Sequence, residues 1–472
     1  MNILSFALFF IPIVLVDADY TAAVLELAPM FLTRQVNETV ALSVQLSNLA
    51  RFARELSAAG TALDIAVLGE YALYGTYLPT RAWLAPYAYE LPRVADGVCA
   101  CGNATWQRQS PVLARVSCLA RQLNAYLVVD VAERALCGAP GVPAVARRCV
   151  AGVDPVFFNT QIAVARDGVL IAVYRKSHLY FEPMFDEPLV PDVVWFDTDF
   201  GVRFGALICF DIMFEQPGKA LRQLGVAAFV YSTWWVDEAP LINGIQTQAA
   251  FANAFNVTIL AAGIGVSNRQ SGSGIYAGAQ TLVSTYNPTQ SPRTRLLVAR
   301  VPTSTVAQPS ALVAPPERPA PQQLSSNFTV VPFSAVTGSG SVSGTQGGVS
   351  CRFTYRAASG ASTDLFAVLV LDGLYNGLFP LSLCAAVRCA SAHVSSCANQ
   401  FTLNSSTVFD SWRLSTVVRG APQLTWYAMT AGDAGVQLGG VDYQRSATAP
   451  TLRASRTSEA FLSATLWGLH WT

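Results

Sequence analysis

Short aliphatic runs recur along the first 263 residues, and stretches with helical spacing separate several of them. Residues 21–28 read as a strand. Over 38–59, Leu42, Leu46, Leu49, Phe52 and Leu56 repeat at intervals of three and four, which predicts a helix with one apolar face; Asn37 stands before it as an N-cap. LDIAVLGE at 63–70 predicts a buried strand ending on Glu70. PVLARVSCLARQL at 111–123 predicts a helix, and AYLVVDVA at 125–132 a strand. FFNTQIAVARDGVLIAVYRKSHLY at 157–180 predicts two strands joined at Asp167-Gly168, a hairpin signal. Strands at 202–209, 227–233 and 257–263 then alternate with helices at 215–224 and 241–256.

This is α/β alternation with an antiparallel hairpin inside it. Strands apolar on both faces require a sheet covered on both sides. No G-x-G-x-x-G follows the first strand, so a dinucleotide fold is not indicated. Near residue 301 the pattern breaks. VPTSTVAQPSALVAPPERPAPQQLSS has six prolines and little periodicity, and reads as a linker over 301–326. Beyond 327, short β-like runs (TVVPFSAV, CRFTYRA, LFAVLVL, TWYAMTA, FLSATLWGLHW) alternate with Gly/Ser turns. The expected organisation is a catalytic-sized α/β domain over 19–300, the linker, and a smaller β-rich domain over 327–472.

Composition narrows the setting. The 472 residues are 52% hydrophobic and 13% charged, with no net charge. That suits a large core, and argues against nucleic acid or an anionic membrane surface as the main partner. The first 18 residues carry an apolar run too short to span a bilayer, with Val16 and Ala18 at small-residue cleavage positions, and read as a signal peptide. Five N-x-S/T sequons, at Asn37, Asn103, Asn256, Asn327 and Asn404, and ten cysteines fit an oxidising, extracellular setting. Cys99, Cys101, Cys118, Cys137 and Cys149 form a front group; Cys351, Cys384, Cys389 and Cys397 form a tail group that can pair within itself in three ways. Cys209 lies 60 residues from one group and 142 from the other. The front group leaves one thiol over, expected to be Cys99 or Cys101.

Candidate chemistry sits where buried strands end: Glu70, Lys176 and Cys209. Of 30 cationic side chains only Lys176 and Lys219 are lysines, so a lysine invites a functional reading. Arg is a fork and Lys a compact point charge. A thiol at a strand-to-turn junction meets peptide N–H groups that stabilise a thiolate and an oxyanion. A carboxylate can serve as its base, and a lysine offsets the mutual repulsion of the two acids. A Cys–His pair is limited by supply, because His178 is the only histidine of the α/β region. Spacing alone does not bring the three residues together.

LGEYALYG at 68–75, YRKSHLYFE at 174–182 and GALICFDIMF at 205–214 resemble the Glu, Lys and Cys motifs of the nitrilase (carbon–nitrogen hydrolase) superfamily. STWWVDEAPLINGIQTQAAFANAFNVTILAAG at 232–263, SGSGIYAG at 271–278 and the four tail cysteines resemble its secreted vanin–biotinidase branch. The resemblance covers nearly the whole chain after residue 18. It implies a four-layer α-β-β-α sandwich followed by a β-rich, disulfide-bearing domain. It also implies Glu70 as general base, Lys176 as oxyanion stabiliser and Cys209 as nucleophile. Glu182 would position the lysine or water, and the Phe210 backbone N–H would join Lys176 in the oxyanion hole. Tyr74, Trp234 and Trp235 are expected at the substrate pocket. The substrate would be a small linear amide, pantetheine or alternatively a biotin amide, with no metal or organic cofactor. Two motifs depart from the family: Gly69-Glu70-Tyr71 replaces Pro-Glu-Asp, and Gly263-Ile264-Gly265 replaces Asn-Ile-His. These departures leave open a vanin-like binding protein without turnover.

Overall fold

The computed structural model describes residues 19–303 and 327–469, except 76–77, 238–241, 268–269, 288, 290, 336–337, 358–363, 376, 378, 392–395, 398–404, 420–424, 433–440, 445, 447 and 456–460. The signal-peptide region, most of the linker and Asn404 therefore lie outside the described residues.

Twelve strands build the first domain: β1 (Tyr20–Glu26), β2 (Ile65–Leu68), β3 (Tyr126–Leu136), β4 (Pro155–Val164), β5 (Leu170–Arg175), β6 (Trp195–Asp197), β7 (Arg203–Ile208), β8 (Ala228–Ser232), β9 (Thr258–Ala262), β10 (Ser273–Ala277), β11 (Gln280–Thr285) and β12 (Arg295–Val301). They form two six-stranded sheets, ordered β12-β1-β2-β3-β4-β5 and β11-β10-β9-β8-β7-β6. In each sheet the middle strands pair in parallel and the outer ones antiparallel.

Side-chain alternation explains the layering. Ala22, Val24, Ile65, Val67 and Val128 point between the sheets, where they join Phe204, Ala206 and Val230 in one core. Their sequence neighbours Ala23, Leu25, Ala66, Leu68, Leu127 and Val129 point the other way, onto the helices Glu38–Ser57 and Pro111–Leu123. The predicted Asn37 cap is present, its side chain accepting from the Val40 N–H at 3.0 Å. On the second sheet the helix Gly244–Phe255 supplies the outer layer. The result is helix, sheet, sheet, helix.

The second domain is a β-sandwich of β13 (Thr329–Ser334), β14 (Gly338–Gln346), β15 (Val349–Ala357), β16 (Leu365–Tyr375), β17 (Phe379–Cys389), β18 (Phe409–Val418), β19 (Thr425–Gly432), β20 (Val441–Gln444), β21 (Thr451–Ser455) and β22 (Phe461–Leu469). One sheet runs β13-β16-β17-β22-β19 and the other β14-β15-β18-β21-β20. Cys351–Cys384 ties β15 to β17 across the sandwich, and Cys389–Cys397 closes a loop beside it. Cys101–Cys118 and Cys137–Cys149 pair in the first domain, which leaves Cys99 and Cys209 free. Cys99 is thus the odd front thiol.

The two domains share a core. On β16 and β17, Phe366, Val368, Val370, Cys384 and Ala386 fill the sandwich. The alternate residues Ala367, Leu369, Leu371, Leu381, Leu383 and Ala385 belong to the core of the first domain. Tyr427 donates from its hydroxyl to the Ile212 carbonyl at 3.1 Å.

Candidate active site

Glu70, Lys176 and Cys209 converge just beyond three strand ends. β2 stops at Leu68, two residues short of Glu70; β5 stops at Arg175 and β7 at Ile208. The sequence places all three residues inside or at the strand tips, whereas each lies on the turn that follows. Those turns are conformationally unusual. Among described non-glycine residues only five have positive φ, and two are asparagines ending helices. The other three are Tyr71 (57°), Phe181 (51°) and Cys209 (43°), beside or at the three motifs. Left-handed backbone is costly for such side chains, and it clusters where function constrains geometry.

Lys176 is fully enclosed between two carboxylates. Its Nζ donates to Glu70 Oε1 at 2.7 Å and to Glu182 Oε2 at 2.6 Å. Asn159 on β4 donates through Nδ2 to the same Glu70 oxygen at 2.8 Å and to Glu182 Oε1 at 3.0 Å. The Tyr71 hydroxyl also donates to Glu182 Oε1, and the Tyr180 N–H to Glu182 Oε2 at 2.9 Å. Glu70 Oε2 accepts from the Trp234 N–H at 2.7 Å, while the Cys209 thiol donates to the Trp234 carbonyl at 3.6 Å. One peptide residue thus bridges carboxylate and thiol.

Burial sets the proton affinities. Desolvation pushes the Glu70 carboxyl up, Glu182 adds to it, and the Lys176 charge opposes both. Desolvation and then Glu70 hold the Cys209 thiol well above its ordinary value, with Lys176 again opposing. For Lys176, burial works against the charge, but Glu182, Glu70 and Cys209 outweigh it and keep the ammonium firmly protonated. The resting pattern is a neutral thiol beside an ammonium and carboxylates. It can pass a proton from sulfur to Glu70 without changing the net charge of the pocket.

Cys209 opens a short turn, Cys209–Met213. The geometry of such a turn leaves the first N–H groups, including that of Phe210, without an acceptor inside it. Asp211 anchors the turn. Its carboxylate accepts from the Ile208 N–H at 3.1 Å, the Tyr174 hydroxyl at 2.7 Å, and the Ser177 and His178 N–H groups at 3.2 and 2.9 Å. The lysine turn and the cysteine turn are therefore tied through one buried carboxylate. His178 also places Nδ1 on Asp211 and stacks its ring on Phe214 at 3.8 Å, not on the Cys209 sulfur. The Cys–His alternative has no geometric support. The other lysine, Lys219, is exposed and pairs with Glu215.

A cavity of about 20 Å³ faces the sulfur, lined by Tyr180, Phe210, Met213, Trp235, Ile242 and Phe379, with Trp234 and Val236 completing it. Trp234 and Trp235 both line this cavity. Tyr74 does not: it is fully buried, packed between Tyr71 and Tyr87. The side chain at the site is Tyr71, one turn earlier. Asn159 and Asp211 escape attention in the sequence; the available signal is three polar side chains, Asn159, Thr160 and Gln161, interrupting an apolar strand (VFFNTQIAV), and a carboxylate two residues after the cysteine.

Gly69 and Gly263, from the two departing motifs, touch each other. A Cβ on Gly69 would lie 2.3 Å from the Gly263 carbonyl oxygen. The two changes are one local adjustment, in which bare backbones meet behind Glu70.

Residues 21–282 match the carbon-nitrogen hydrolase family model, and residues 320–472 match the vanin C-terminal domain. A biotinidase of Takifugu rubripes is 32% identical over 440 residues, covering 84% of this chain and 85% of its own. A pantetheinase of Canis lupus familiaris is 29% identical over 400 residues, covering 80% and 75%. A human pantetheinase is 28% identical over 418 residues, covering 84% and 79%.

Proposed function

As the chain belongs to the carbon–nitrogen hydrolase family, in its vanin–biotinidase branch, we propose that it is a secreted amidase that cleaves pantetheine to pantothenate and cysteamine. The observation that carries this reading is the buried Glu70–Lys176–Glu182 cluster, joined to Cys209 through Trp234.

In this mechanism the Cys209 sulfur attacks the amide carbon as its proton passes to Glu70. The carbonyl oxygen becomes an oxyanion, stabilised by the Lys176 ammonium and the Phe210 N–H. The C–N bond breaks, and the amine leaves with the proton from Glu70. Glu70 then takes a proton from water, which attacks the thioester; the Cys209 sulfur departs and recovers the proton. Glu182 and Asn159 hold Lys176 and Glu70 in register. Exposed Asn37, Asn103, Asn256 and Asn327 are glycan acceptors on this reading, and the four disulfides support an oxidising compartment. Biotin-amide hydrolysis is the second reading, favoured by the 32% identity to a biotinidase.

The test is purified protein on pantetheine and biocytin side by side. Cysteamine release is expected from wild type, with Cys209→Ala slower by more than about a thousandfold. Lys176→Arg should be nearly as impaired, since the fork does not replace the compact ammonium. Failure of well-folded wild type to cleave either substrate would overturn the hydrolase reading.

A further inference from the structure

The cavity facing Cys209 is not built by the first domain alone. Phe379, the first residue of β17, lines it from the second domain. Its ring meets Phe210 edge-on at 5.7 Å, one residue from the sulfur-bearing position. At the turn end of the β16–β17 hairpin it pairs with Tyr375, whose ring stacks on it at 5.8 Å. Phe379 is only 8% exposed, so it is a packed wall rather than a surface side chain. Tyr427, on the same sheet, is hydrogen-bonded to Ile212 in the nucleophile turn. Two strands of the second domain therefore hold that turn and close the space above it.

We propose that Phe379 is a specificity-determining residue: the second domain supplies the wall that limits the bulk of the group beside the scissile carbonyl. The cavity of about 20 Å³ has room for roughly one water. Its side chains are mostly aromatic and aliphatic, and among the described residues no ionised side chain lines it. The group it admits is slender, reached by small displacements of Tyr180, Phe210 or Phe379. An ammonium or carboxylate there would be desolvated with no oppositely charged partner among the described lining residues. This assignment rests on Cys209 being the reacting group of the proposed amidase.

The experiment reads the pocket without requiring turnover. Full-length wild type, Phe379→Ala, Phe379→Leu and Leu374→Ala are treated with iodoacetamide and with N-benzyl iodoacetamide. The Cys209 sulfur displaces iodide, forming a C–S bond as the C–I bond breaks. Alkylation of Cys209 is followed by peptide mass, which separates it from the other free thiol, Cys99. Leu374 is exposed on the neighbouring strand and absent from the cavity lining, so it serves as the control. Phe379→Ala should raise the bulky-to-small rate ratio by about tenfold or more, the scale on which pocket volume discriminates substrates. Phe379→Leu should give a smaller rise and cover the case in which alanine does not fold; Leu374→Ala should match wild type. An unchanged ratio in folded Phe379→Leu or Phe379→Ala overturns the inference. Should the ratio change while wild type cleaves no amide, the pocket assignment stands and the amidase reading falls.

Discussion

Lys176 shows why a residue-level inventory misleads without its surroundings. An isolated buried ammonium would shed its proton. Here two carboxylates at hydrogen-bond distance reverse that tendency. The consequence for pH is directional. In the proposed mechanism Glu70 must be ionised to accept the thiol proton, and burial followed by the Glu182 charge raises its pKa. As pH falls through that raised value Glu70 protonates and activity is lost, so the acid limb of kcat/KM should lie above the usual carboxylate value of about 4.3. On the alkaline side Lys176 keeps its proton, because Glu182, Glu70 and Cys209 overcome the desolvation that would remove it. No loss from lysine titration is therefore expected up to about pH 9. A pH–rate profile of the folded enzyme checks both limbs; an acid midpoint at or below 4 would show that Glu70 is not the desolvated base described here.

At the scale of elements, most of the first domain is legible in its periodicity, and the reasons for the exceptions are physical. The helix at 111–123 and the hairpin around Asp167-Gly168 stand where spacing puts them, because each follows a local rule. β14 (GSGSVSGTQ) has the composition of a turn, yet pairs residue for residue with β15. Its small residues answer a tertiary demand: a Cβ on Gly340 would strike the Tyr355 ring at 2.3 Å, and one on Gly344 would crowd Val370 and Val331. No pattern within the strand reveals that. The same holds behind the site, where Gly265 donates to the Leu27 carbonyl at 2.9 Å and accepts from the Arg293 N–H at 2.7 Å. A Cβ there would sit 1.8 Å from the Arg293 carbonyl oxygen, with neither backbone free to retreat. Gly265→Ala should therefore cost about 3 kcal/mol or more. Gly60→Ala, at φ 71° with open space around it, should cost about 1 kcal/mol from its backbone conformation alone. Urea denaturation of the two variants decides it; equal midpoints would mean that the approach to Arg293 relaxes freely.

For the whole molecule, the Pro-rich break near residue 301 suggests two independent bodies, but the apolar surfaces on either side of it are complementary. The motifs reveal Glu70, Lys176 and Cys209, because their chemistry is local; they do not reveal Phe379 or Tyr427, whose roles exist only once the domains dock. The outward face of β16 and β17 continues the first domain's core, and the helix Gly244–Phe255 lies against β19, with Phe255 meeting Tyr427 at 6.2 Å. Removing the second domain would uncover Phe210 and Phe255, which meet Phe379 and Tyr427, and would release Ile212 from its hydrogen bond. Each large apolar side chain returned to water costs about 1.5–3 kcal/mol, a substantial part of a domain's net stability. A chain ending at Thr303 should consequently self-associate, with amide hydrogens of 209–214 exchanging at least about tenfold faster than in the full protein, since local opening follows lost packing. Light scattering and hydrogen exchange measure the two effects. A monomeric fragment with full activity would show that the nucleophile turn is shaped by the first domain alone; a fragment that aggregates or loosens at 209–214 would place the second domain among the elements that build the active site.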